Sequence, residues 1–127
     1  MREFSLTIAI RPGQLATLAR GLAEAGVNIE ALAAMAVDGE SQIRLMVDDA
    51  DAGRRVLRQL GIYFEERPVL DTFLPNTPGS LAELADGLAE ADVNIDSIHL
   101  LHSNAEGLHM AVTVDDPDAA RPRLLAD

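Results

Sequence analysis

Residues 12–29 read PGQLATLARGLAEAGVNI, and residues 78–95 read PGSLAELADGLAEADVNI. Fourteen of these eighteen positions are identical at an offset of 66. A second match, between VDDADA at 47–52 and VDDPDA at 114–119, has an offset of 67. The chain therefore contains two tandem copies of one sequence repeat, and the second copy has one additional residue between Ile95 and Val114. Two copies of this length predict two small domains rather than a stacked array of repeats.

The repeat divides the 127 residues into a first unit at 1–67 and a second unit at 68–127. A domain of about 60 residues buries only about 60% of the surface that its unfolded chain exposes, so each half alone would be marginally stable. We therefore expect the halves to pack together, and we expect a homodimer.

The net charge of −11 and the absence of cysteine exclude several classes of function. Nucleic-acid binding needs lysine and arginine to neutralise phosphates, and anionic membrane surfaces need the same residues. Without cysteine there is no disulfide, no thiol catalysis and no thiolate metal site. No apolar run approaches the about 20 residues of a membrane span, and the N-terminus lacks a secretory pattern. We expect a cytoplasmic protein that carries no cofactor.

The first half of the first copy has the pattern of a strand followed by a helix. Residues 4–8 alternate between apolar and polar side chains, as a half-buried strand does. Residues 15–25 then carry leucines at helical spacing, and Gly26 stands where a left-handed residue ends a helix.

The second half of the first copy reads as a hairpin, a helix and a short strand. Residues 28–37 and 42–47 are β-prone, and the Asp38-Gly39 pair between them is typical of a two-residue hairpin turn. Asp48 or Asp49 can cap a helix that runs to about residue 59. The last strand is predicted at 62–64. For the helix, the residues predicted to face inward are Val56, Leu57 and Leu60.

The second copy repeats this order but stops early. Its predicted elements are a strand at 69–75, a helix at 79–91, strands at 94–103 and 108–114, and a helix at 117–125. Asp127 matches Leu60, so nothing corresponds to the last strand of the first copy. The order βαββαβ, written twice, predicts an α+β fold of two ferredoxin-like units with helices on one face of an antiparallel sheet. The missing strand would lie beside the strand at 69–75, and an exposed edge there favours a strand-mediated contact, within the chain or between chains.

The sequence Pro-Gly-x-Leu, a helix and then Val-Asn-Ile on this βαββαβ frame resembles the ACT domain. The resemblance covers nearly the whole chain, and the layout is similar to the small free-standing tandem ACT proteins of bacteria. ACT domains are regulatory modules that often bind amino acids at interfaces between paired domains. The resemblance therefore implies a non-catalytic regulatory protein with a free amino acid as its ligand. It also implies a regulated enzyme or transcription factor of amino-acid metabolism as a partner.

The loop before the first helix of each copy is the predicted ligand site. A helix N-terminus offers free N–H groups and a partial positive charge, which suit a carboxylate, and glycine lets a ligand approach the backbone. The resemblance implies that an Asn two residues before the Pro contacts the ligand. Asn76 holds that position in the second copy, whereas the first copy has Ile10, so we expect residues 76–79, the Asn76 loop, to recognise the polar head. The candidate ligand-binding residues are Asn76, Thr77, Pro78, Gly79, Ser80, Leu81, Asn94 and Ile95 in the second copy, and Arg11, Pro12, Gly13, Gln14, Leu15, Asn28 and Ile29 in the first.

Structural interpretations compete with each of these assignments. Pro-Gly pairs are common in turns, and Asn76 can serve as a local turn or cap residue. Asn28 and Asn94 stand between a helix end and a strand, where Asn tolerates left-handed geometry and bonds the backbone. That structural role is the stronger interpretation for both.

Glycines and histidines raise further alternatives. Gly21 and Gly87 lie inside helices, where glycine costs about 1 kcal/mol relative to alanine, so close packing of those helices is expected.

A four-residue turn at 104–107 would place His102 opposite His109. Two histidines without a nearby carboxylate or cysteine form a poor metal site, so we interpret them as surface or interface residues.

The acidic runs at 48–51 and 115–118 are interpreted as helix caps. A calcium loop needs a Gly and a distant Glu in a twelve-residue frame, and neither is in place. The sequence also lacks a nucleophile–base pair and a phosphate-binding loop, so no enzymatic activity is expected. The alternative to a ligand sensor is a protein–protein interaction module that binds no small molecule.

Overall fold

The computed structural model describes residues 1–124. The chain divides into two compact units, Met1–Arg67 and Pro68–Asp127, which we call unit 1 and unit 2. Unit 1 contains β1 Arg2–Ala9, α1 Gln14–Glu24, β2 Ile29–Val37, β3 Glu40–Val47, α2 Ala50–Gln59 and β4 Phe64–Pro68. Unit 2 contains β5 Leu70–Leu74, α3 Ser80–Glu90, β6 Ile95–Ser103, β7 Leu108–Val114, α4 Pro117–Ala120 and a 3₁₀ helix at Arg121–Arg123. The predicted α+β fold, with the βαββαβ pattern twice and the last strand of the second copy missing, is confirmed.

Unit 1 has a four-stranded sheet in the order β2-β3-β1-β4, and β3 runs antiparallel to both β1 and β2. The β2–β3 hairpin closes through Asp38 at φ 50° and Gly39 at φ 79°, between the paired residues Val37 and Glu40. Two successive positive φ angles are those of a type I′ turn, whose twist matches the flanking strands. The Asp-Gly turn is therefore confirmed.

The core of unit 1 lies between one face of the sheet and the two helices. Its largest fully buried apolar side chains are Phe4, Leu18, Leu22, Ile43, Leu45 and Leu57. Each contributes about 1.5–3 kcal/mol by leaving water. Leu60, by contrast, is 37% exposed, so its prediction as an inward-facing residue was wrong. It is the C-cap of α2, one residue beyond the end of the helix.

The glycine in α1 confirms its packing prediction, and its counterpart in α3 does not. A Cβ on Gly21 would lie 3.2 Å from Val56 Cγ1 and 3.3 Å from Leu60 Cδ1, so glycine lets α1 approach α2 closely. Among residues 1–124, a Cβ on Gly87 would meet only Arg123 Cβ, at 3.9 Å, which is an ordinary contact. The described residues therefore do not show the expected close packing at Gly87.

The last strand of unit 1 lies later than the predicted 62–64. Gly61, at φ 71°, ends α2 in the left-handed region, and the Ile62 N–H donates to the Leu57 carbonyl oxygen at 3.0 Å. Residues 61–62 therefore belong to the helix stop, which is a Schellman-type arrangement. The strand begins at Phe64, whose ring packs edge-on against Phe4 with centroids 5.4 Å apart.

Unit 2 has a three-stranded antiparallel sheet in the order β5-β7-β6. Its core includes Leu70, Leu74, Leu84, Leu88 and Val112. Within residues 1–124, β5 has a strand neighbour on one side only. In unit 1 the corresponding side of β1 pairs with β4.

The last helix of unit 2 is shorter than the predicted 117–125. The α-helix covers Pro117–Ala120 and continues as the 3₁₀ helix at Arg121–Arg123. Pro122 has no backbone N–H and its ring crowds the preceding turn, so the α-helical ladder cannot pass through it. Position 125 and the match of Asp127 to Leu60 lie outside the described residues.

The residue added in the second copy forms a β-bulge at Leu101. Leu100 pairs with Met110 and His102 pairs with His109, so Leu101 has no opposite residue. The β2–β3 hairpin shifts register once, between Ile29 and Ala31, and the β6–β7 hairpin repeats that shift between Ile95 and Ser97 before adding the second one. Bulges bend a strand and increase its twist, so the tip of the β6–β7 hairpin takes its own direction.

No helix within residues 1–124 is both long enough and apolar enough to cross a membrane.

Candidate functional site

Each Pro-Gly pair forms a tight turn at the start of a helix. The Ser80 N–H donates to the Thr77 carbonyl oxygen at 3.3 Å, and Gly79 has φ 93° and ψ −12°. These angles are those of the third residue of a type II turn, in which proline suits the second position and glycine the third. In unit 1 the Gln14 N–H donates to the Arg11 carbonyl oxygen at 3.3 Å in the same way. The turn geometry alone therefore accounts for both Pro-Gly pairs.

The space above these glycines is open. Among residues 1–124, a Cβ on Gly13 or Gly79 would have no heavy atom within 4 Å. Positive φ, rather than crowding, is what requires glycine there, and the exposed backbone is free to meet a ligand.

The N-terminus of α3 has no side-chain cap. The Gly79 carbonyl oxygen accepts the Glu83 N–H at 3.0 Å, but no side chain satisfies the first N–H groups of the helix. Thr77 Oγ1 and Ser80 Oγ instead bond each other at 3.0 Å. The first N–H groups of a helix have no acceptor inside it, so the positive end of α3 remains available to an anion. The N-terminus of α1 likewise has no side-chain cap.

Asn76 connects the turn to the β6–β7 hairpin. Its Nδ2 donates to the Asn104 carbonyl oxygen at 2.9 Å. Asn104 Oδ1 in turn accepts the N–H groups of Glu106 at 2.8 Å and Gly107 at 3.0 Å. One side of the Asn76 amide is thus structural, while its Oδ1 has no hydrogen-bond partner among residues 1–124. Ile10, at the same position in unit 1, is 47% exposed and has no polar group to offer.

A groove of about 200 Å³ lies beside the Asn76 loop, between the end of β5, the start of α3 and the 3₁₀ helix. It is lined by Leu74, Pro75, Ser80, Glu83, Leu84 and Arg123. Of the lining residues, sequence reasoning identified only Ser80 as a candidate. The sequence contained one signal for this groove. At the offset of 67, Arg123 takes the place of Val56, which is a buried core residue of unit 1.

Asn94 and Asn28 are held by carboxylates. The Asn94 backbone N–H donates to Asp115 Oδ1 at 2.9 Å and its Nδ2 donates to Asp115 Oδ2 at 3.0 Å. These two bonds, led by the backbone N–H, hold the pKa of Asp115 below its usual value. The Asn28 N–H donates to Asp48 Oδ1 at 2.9 Å in the same way.

The left-handed geometry expected at these asparagines lies elsewhere. Positive φ occurs at Gly26, 71°, and at Asp92, 59°, both two residues before the asparagine. The prediction of left-handed asparagines was therefore wrong. The helix stop is completed before the asparagine is reached, which leaves Asn28 and Asn94 free to bond the next carboxylate.

The structure does not bring the candidate residues of one unit together. Strands β5 and β6 both run antiparallel to β7, so they point in the same direction. Leu74 pairs with Leu108, which also pairs with Ser103, so the Asn76 loop lies near the end of β6. Asn94 precedes the start of the same strand, about 30 Å away for nine extended residues. Unit 1 separates its loop at 11–15 from Asn28 and Ile29 in the same manner.

The acidic runs cap helices, as predicted. Asp49 Oδ1 accepts the Ala52 N–H and Asp116 Oδ1 accepts the Ala119 N–H, each at 3.1 Å. Across the part of the chain that the structure describes, no group of three or more His, Asp or Glu side chains is arranged to hold a metal ion.

The predicted register of the histidines is confirmed, because His102 pairs with His109. The expectation that no carboxylate lies near them was wrong. His109 Nε2 lies 3.0 Å from Asp71 Oδ1, and the His109 ring stacks on Phe73 with centroids 4.4 Å apart. Asp71 comes from β5, 38 positions earlier, so only strand pairing reveals the contact.

Similarity to known proteins lies in structure rather than in sequence. No family model matches the chain, and a comparison with curated proteins finds no match. The BT0572 protein from Bacteroides thetaiotaomicron superposes with a TM-score of 0.84 at 20% identity, covering 96% of this chain and 84% of that one. The ligand-free regulatory subunit of aspartate kinase from Thermus thermophilus gives a TM-score of 0.70 at 20% identity, covering 97% and 87%.

A larger protein contains the same arrangement as one part. The aspartate kinase of Clostridium acetobutylicum gives a TM-score of 0.58 at 16% identity over 87% of this chain and 29% of that one. At these identities the likeness shows the fold. The chain has the tandem ACT fold, as the resemblance seen in the sequence predicted.

Proposed function

We propose that the protein is a non-catalytic regulatory protein that binds a free amino acid through the Asn76 loop, at an interface between paired ACT units. One observation carries the proposal. Asn76 is oriented by its bond to the Asn104 carbonyl oxygen, its Oδ1 is left as an acceptor, and the uncapped N-terminus of α3 begins four residues later.

The two polar groups of the loop complement the two charges of an amino acid. The first N–H groups of α3 suit the carboxylate because they carry the positive end of the helix dipole. Asn76 Oδ1 suits the ammonium, which needs acceptors. The side-chain hydroxyls of Thr77 and Ser80 bond each other at 3.0 Å beside these groups.

The exposed edge strands support a homodimer. Strands β2 and β6 are each nine residues long, each carries a single charged residue, and each forms an edge of its sheet. Met35 is 64% exposed on β2 and Leu100 is 56% exposed on β6. Long apolar edge strands of this kind pair with other chains. We therefore place the dimer contact along these strands.

Antiparallel pairing along β6 would also complete the ligand site. In such a pair the start of the partner's β6 lies beside the end of the first, near Ser103 and the Asn76 loop. Asn94 and Ile95 of the partner subunit would then face the loop from which their own unit separates them. The interface, rather than one unit alone, would supply both halves of the candidate site.

The two units would differ in function. Ile10 replaces the asparagine in unit 1, so one chain would offer one polar loop. The solved structures with this fold include regulatory subunits of aspartate kinase. We propose an enzyme or transcription factor of amino-acid metabolism as the regulated partner, in the cytoplasm.

A thermal-shift screen against the twenty amino acids at millimolar concentration tests the proposal. A ligand that binds only the folded state raises the melting temperature, and 100 times its dissociation constant adds about 2.7 kcal/mol of stability. We expect one amino acid or a small related group to give a shift, Asn76→Ala to abolish it, and Ile10→Ala, the matched position in unit 1, to leave it. Light scattering should report a dimer at micromolar concentration.

The second candidate function is an interaction module that binds no small molecule. The exposed apolar strands β2 and β6 favour it, because they would serve a protein partner equally well. The absence of any shift across the twenty amino acids would decide for this candidate and against the sensor.

A further inference from the structure

Strand pairing ends at different points in the two units, and in unit 2 it stops short of the turn that closes the β6–β7 hairpin. The pairing of β1 with β3 runs to Ala9 and Glu40. The pairing of β5 with β7 ends one step earlier, at Leu74 and Leu108. The next residue of unit 2 is Pro75, which stands at the place of Ala9 and has no N–H to continue the ladder. Residues 104–107, the hairpin tip, therefore lie beyond the last pair of β5 and β7.

Two other contacts join the hairpin tip to the end of β5 and the Asn76 loop. The Asn104 carbonyl oxygen accepts a hydrogen bond from Asn76 Nδ2 at 2.9 Å. Gly107 lies so close to β5 that a Cβ on it would stand 2.8 Å from the Leu74 carbonyl oxygen. The Asn104 N–H donates to the Gly107 carbonyl oxygen at 3.0 Å. The bond to Asn76 and the close approach of Gly107 are therefore contacts of the same hydrogen-bonded turn.

Space, rather than backbone conformation, requires glycine at position 107. The backbone of Gly107 lies outside the left-handed region, whereas Gly39 in the turn of the other hairpin has φ 79°. A carbon–oxygen separation of 2.8 Å is well inside van der Waals contact, and the oxygen belongs to the backbone of Leu74, so it cannot rotate away. A side chain at position 107 would therefore push the hairpin tip away from β5 and lengthen the bond from Asn76 to Asn104.

The sequence differences between the two copies concentrate at this contact. Ile10 stands at the place of Asn76 in unit 1. At the offset of 67, Glu40 stands at the place of Gly107. The residue added at Leu101 is confined to unit 2, and the bulge that it forms changes the direction of the strand just before the hairpin tip. Unit 1 therefore lacks both partners of the contact.

We propose that the hairpin tip positions Asn76 for ligand binding, and that Gly107 is the positioning residue that allows this contact. The inference rests on the proposed function, because it assigns a role in the same amino-acid site. The bond to the Asn104 carbonyl oxygen holds Nδ2 on the hairpin side, so Oδ1 is the end of the amide left for the ligand. An amide free to rotate would also present its NH₂ group to the ammonium, and that group has no acceptor to offer.

Hydrogen exchange of the Asn76 side-chain amide, measured by NMR on the full-length protein, tests the positioning without a ligand. We expect the Nδ2 protons to exchange about fivefold more slowly than those of free asparagine, the factor for a hydrogen bond of ordinary net strength. Gly107→Ala should remove most of this protection. Gly39→Ala is the matched control, because it strains the turn of the other hairpin and should leave the exchange of Asn76 unchanged.

Ligand affinity provides the second readout, with the amino acid that gives the largest thermal shift as the probe. Gly107→Ala should weaken its binding about fivefold, because the orienting bond is lost. Gly39→Ala should leave the affinity unchanged even where it lowers the melting temperature, which separates positioning from stability. No binding by any amino acid would overturn the proposed function and the ligand part of this inference together, whereas the exchange of Asn76 decides its positioning by itself.

Ile10→Asn tests whether the hairpin tip is needed at all, since it supplies an asparagine before the Pro-Gly pair of unit 1 without Gly107 nearby in that unit. The introduced amide should exchange at the rate of free asparagine, and calorimetry should show no additional amino-acid site per chain. Three results would overturn the proposal. They are unprotected exchange at Asn76 in the unchanged protein, a Gly107→Ala protein with unaltered exchange and affinity, and protection of the amide introduced by Ile10→Asn.

Discussion

Asn76 Nδ2 donates to the carbonyl oxygen of Asn104, 2.9 Å away and 28 positions further along the chain. The bond joins the turn at the start of α3 to the tip of the β6–β7 hairpin. Since Asn104 Oδ1 also closes that tip through two backbone N–H groups, the conformation of the candidate loop depends on the hairpin. Unit 1 has no equivalent bond, because Ile10 stands at this position and its hairpin closes with Asp38 and Gly39.

Asn104→Ala is expected to destabilise the protein by about 1 kcal/mol, because two backbone N–H groups lose their acceptor at an exposed turn. The same variant should weaken amino-acid binding, since the loop loses its support. Urea unfolding and the thermal-shift titration measure the two effects. Glu106→Ala, in the same turn, is the control, and equal behaviour of the two variants would contradict the role of Asn104.

Gly87→Ala is expected to stabilise the protein by about 0.5–1 kcal/mol, because alanine has the higher helix propensity. Within residues 1–124 its Cβ would meet only an ordinary contact, at 3.9 Å. Gly21→Ala, at the repeat-related position, should lose that gain because its Cβ would lie 3.2 Å from Val56 Cγ1. Chemical unfolding of both variants provides the comparison. A stabilisation of equal size at both positions would show that α1 and α2 accommodate the new Cβ at Gly21 without losing stability.

Gly79→Ala is expected to destabilise the protein by about 1–2 kcal/mol, because φ is 93° and an L-residue with a Cβ is strained in the left-handed region. No neighbouring atom lies within 4 Å of the new Cβ, so the cost is conformational rather than steric. The melting temperature reports it. Gly79→Asn should cost less than Gly79→Ala, since asparagine tolerates left-handed backbone, and the reverse order would argue against this explanation.

The stability of unit 1 is expected to fall in acid through Glu66. Hydrogen bonds from Arg54, and secondarily from Arg2, lower the pKa of Glu66 from 4.5 to about 2. A carboxyl group with a lowered pKa in the folded state contributes stability above its unfolded pKa and loses it as the pH falls. The loss should therefore begin near pH 4.5 and be complete near pH 2.

Urea unfolding as a function of pH tests this dependence. Glu66→Gln should be less stable than the unchanged protein at pH 7, and the difference should shrink between pH 4.5 and about 2. Glu65→Gln is the control, because the neighbouring Glu65 side chain is 60% exposed. A constant difference across the whole pH range would show that Glu66 does not stabilise the fold through its charge.

Arg44→Gln is expected to destabilise unit 1 by about 3 kcal/mol. Arg44 Nη1 binds Glu3 Oε1 at 3.0 Å, and the Glu3 side chain is fully buried. Removing Arg44 takes an ion-pair partner away from a fully buried carboxylate, which is costly. The double variant Arg44→Gln, Glu3→Gln should recover part of the lost stability. Denaturant unfolding of the single and double variants measures this recovery, and a double variant no more stable than Arg44→Gln would contradict the explanation.

Local patterns in the sequence predicted the features that act over a few residues. The repeat with its 66-residue offset predicted two units built on the βαββαβ order, and within residues 1–124 the second unit has three of the four strands. Asp38-Gly39 specified a two-residue turn because both residues accept positive φ. Asp49 and Asp116 were recognisable as caps because a cap needs only its own side chain and the next turn of helix.

Some local predictions failed because a neighbouring signal was stronger. Pro122 ends the last α-helix early although the repeat continues through it. Gly61 delays the last strand of unit 1 to Phe64, since residues 61–62 complete the helix stop. Leu60 follows helical spacing but is the C-cap of α2, and it remains partly exposed.

The sequence by itself determined the repeat, the order of the elements and the positions of the tight turns, because these depend on periodicity and backbone preferences within one turn or strand. Only the tertiary structure decided which distant side chains meet. It joins Asn76 to Asn104, His109 to Asp71 and Asn94 to Asp115, and it brings Arg54 to Glu66. The physical reason is that such contacts follow from strand register and from the packing of helices on a sheet, which no short stretch of sequence encodes.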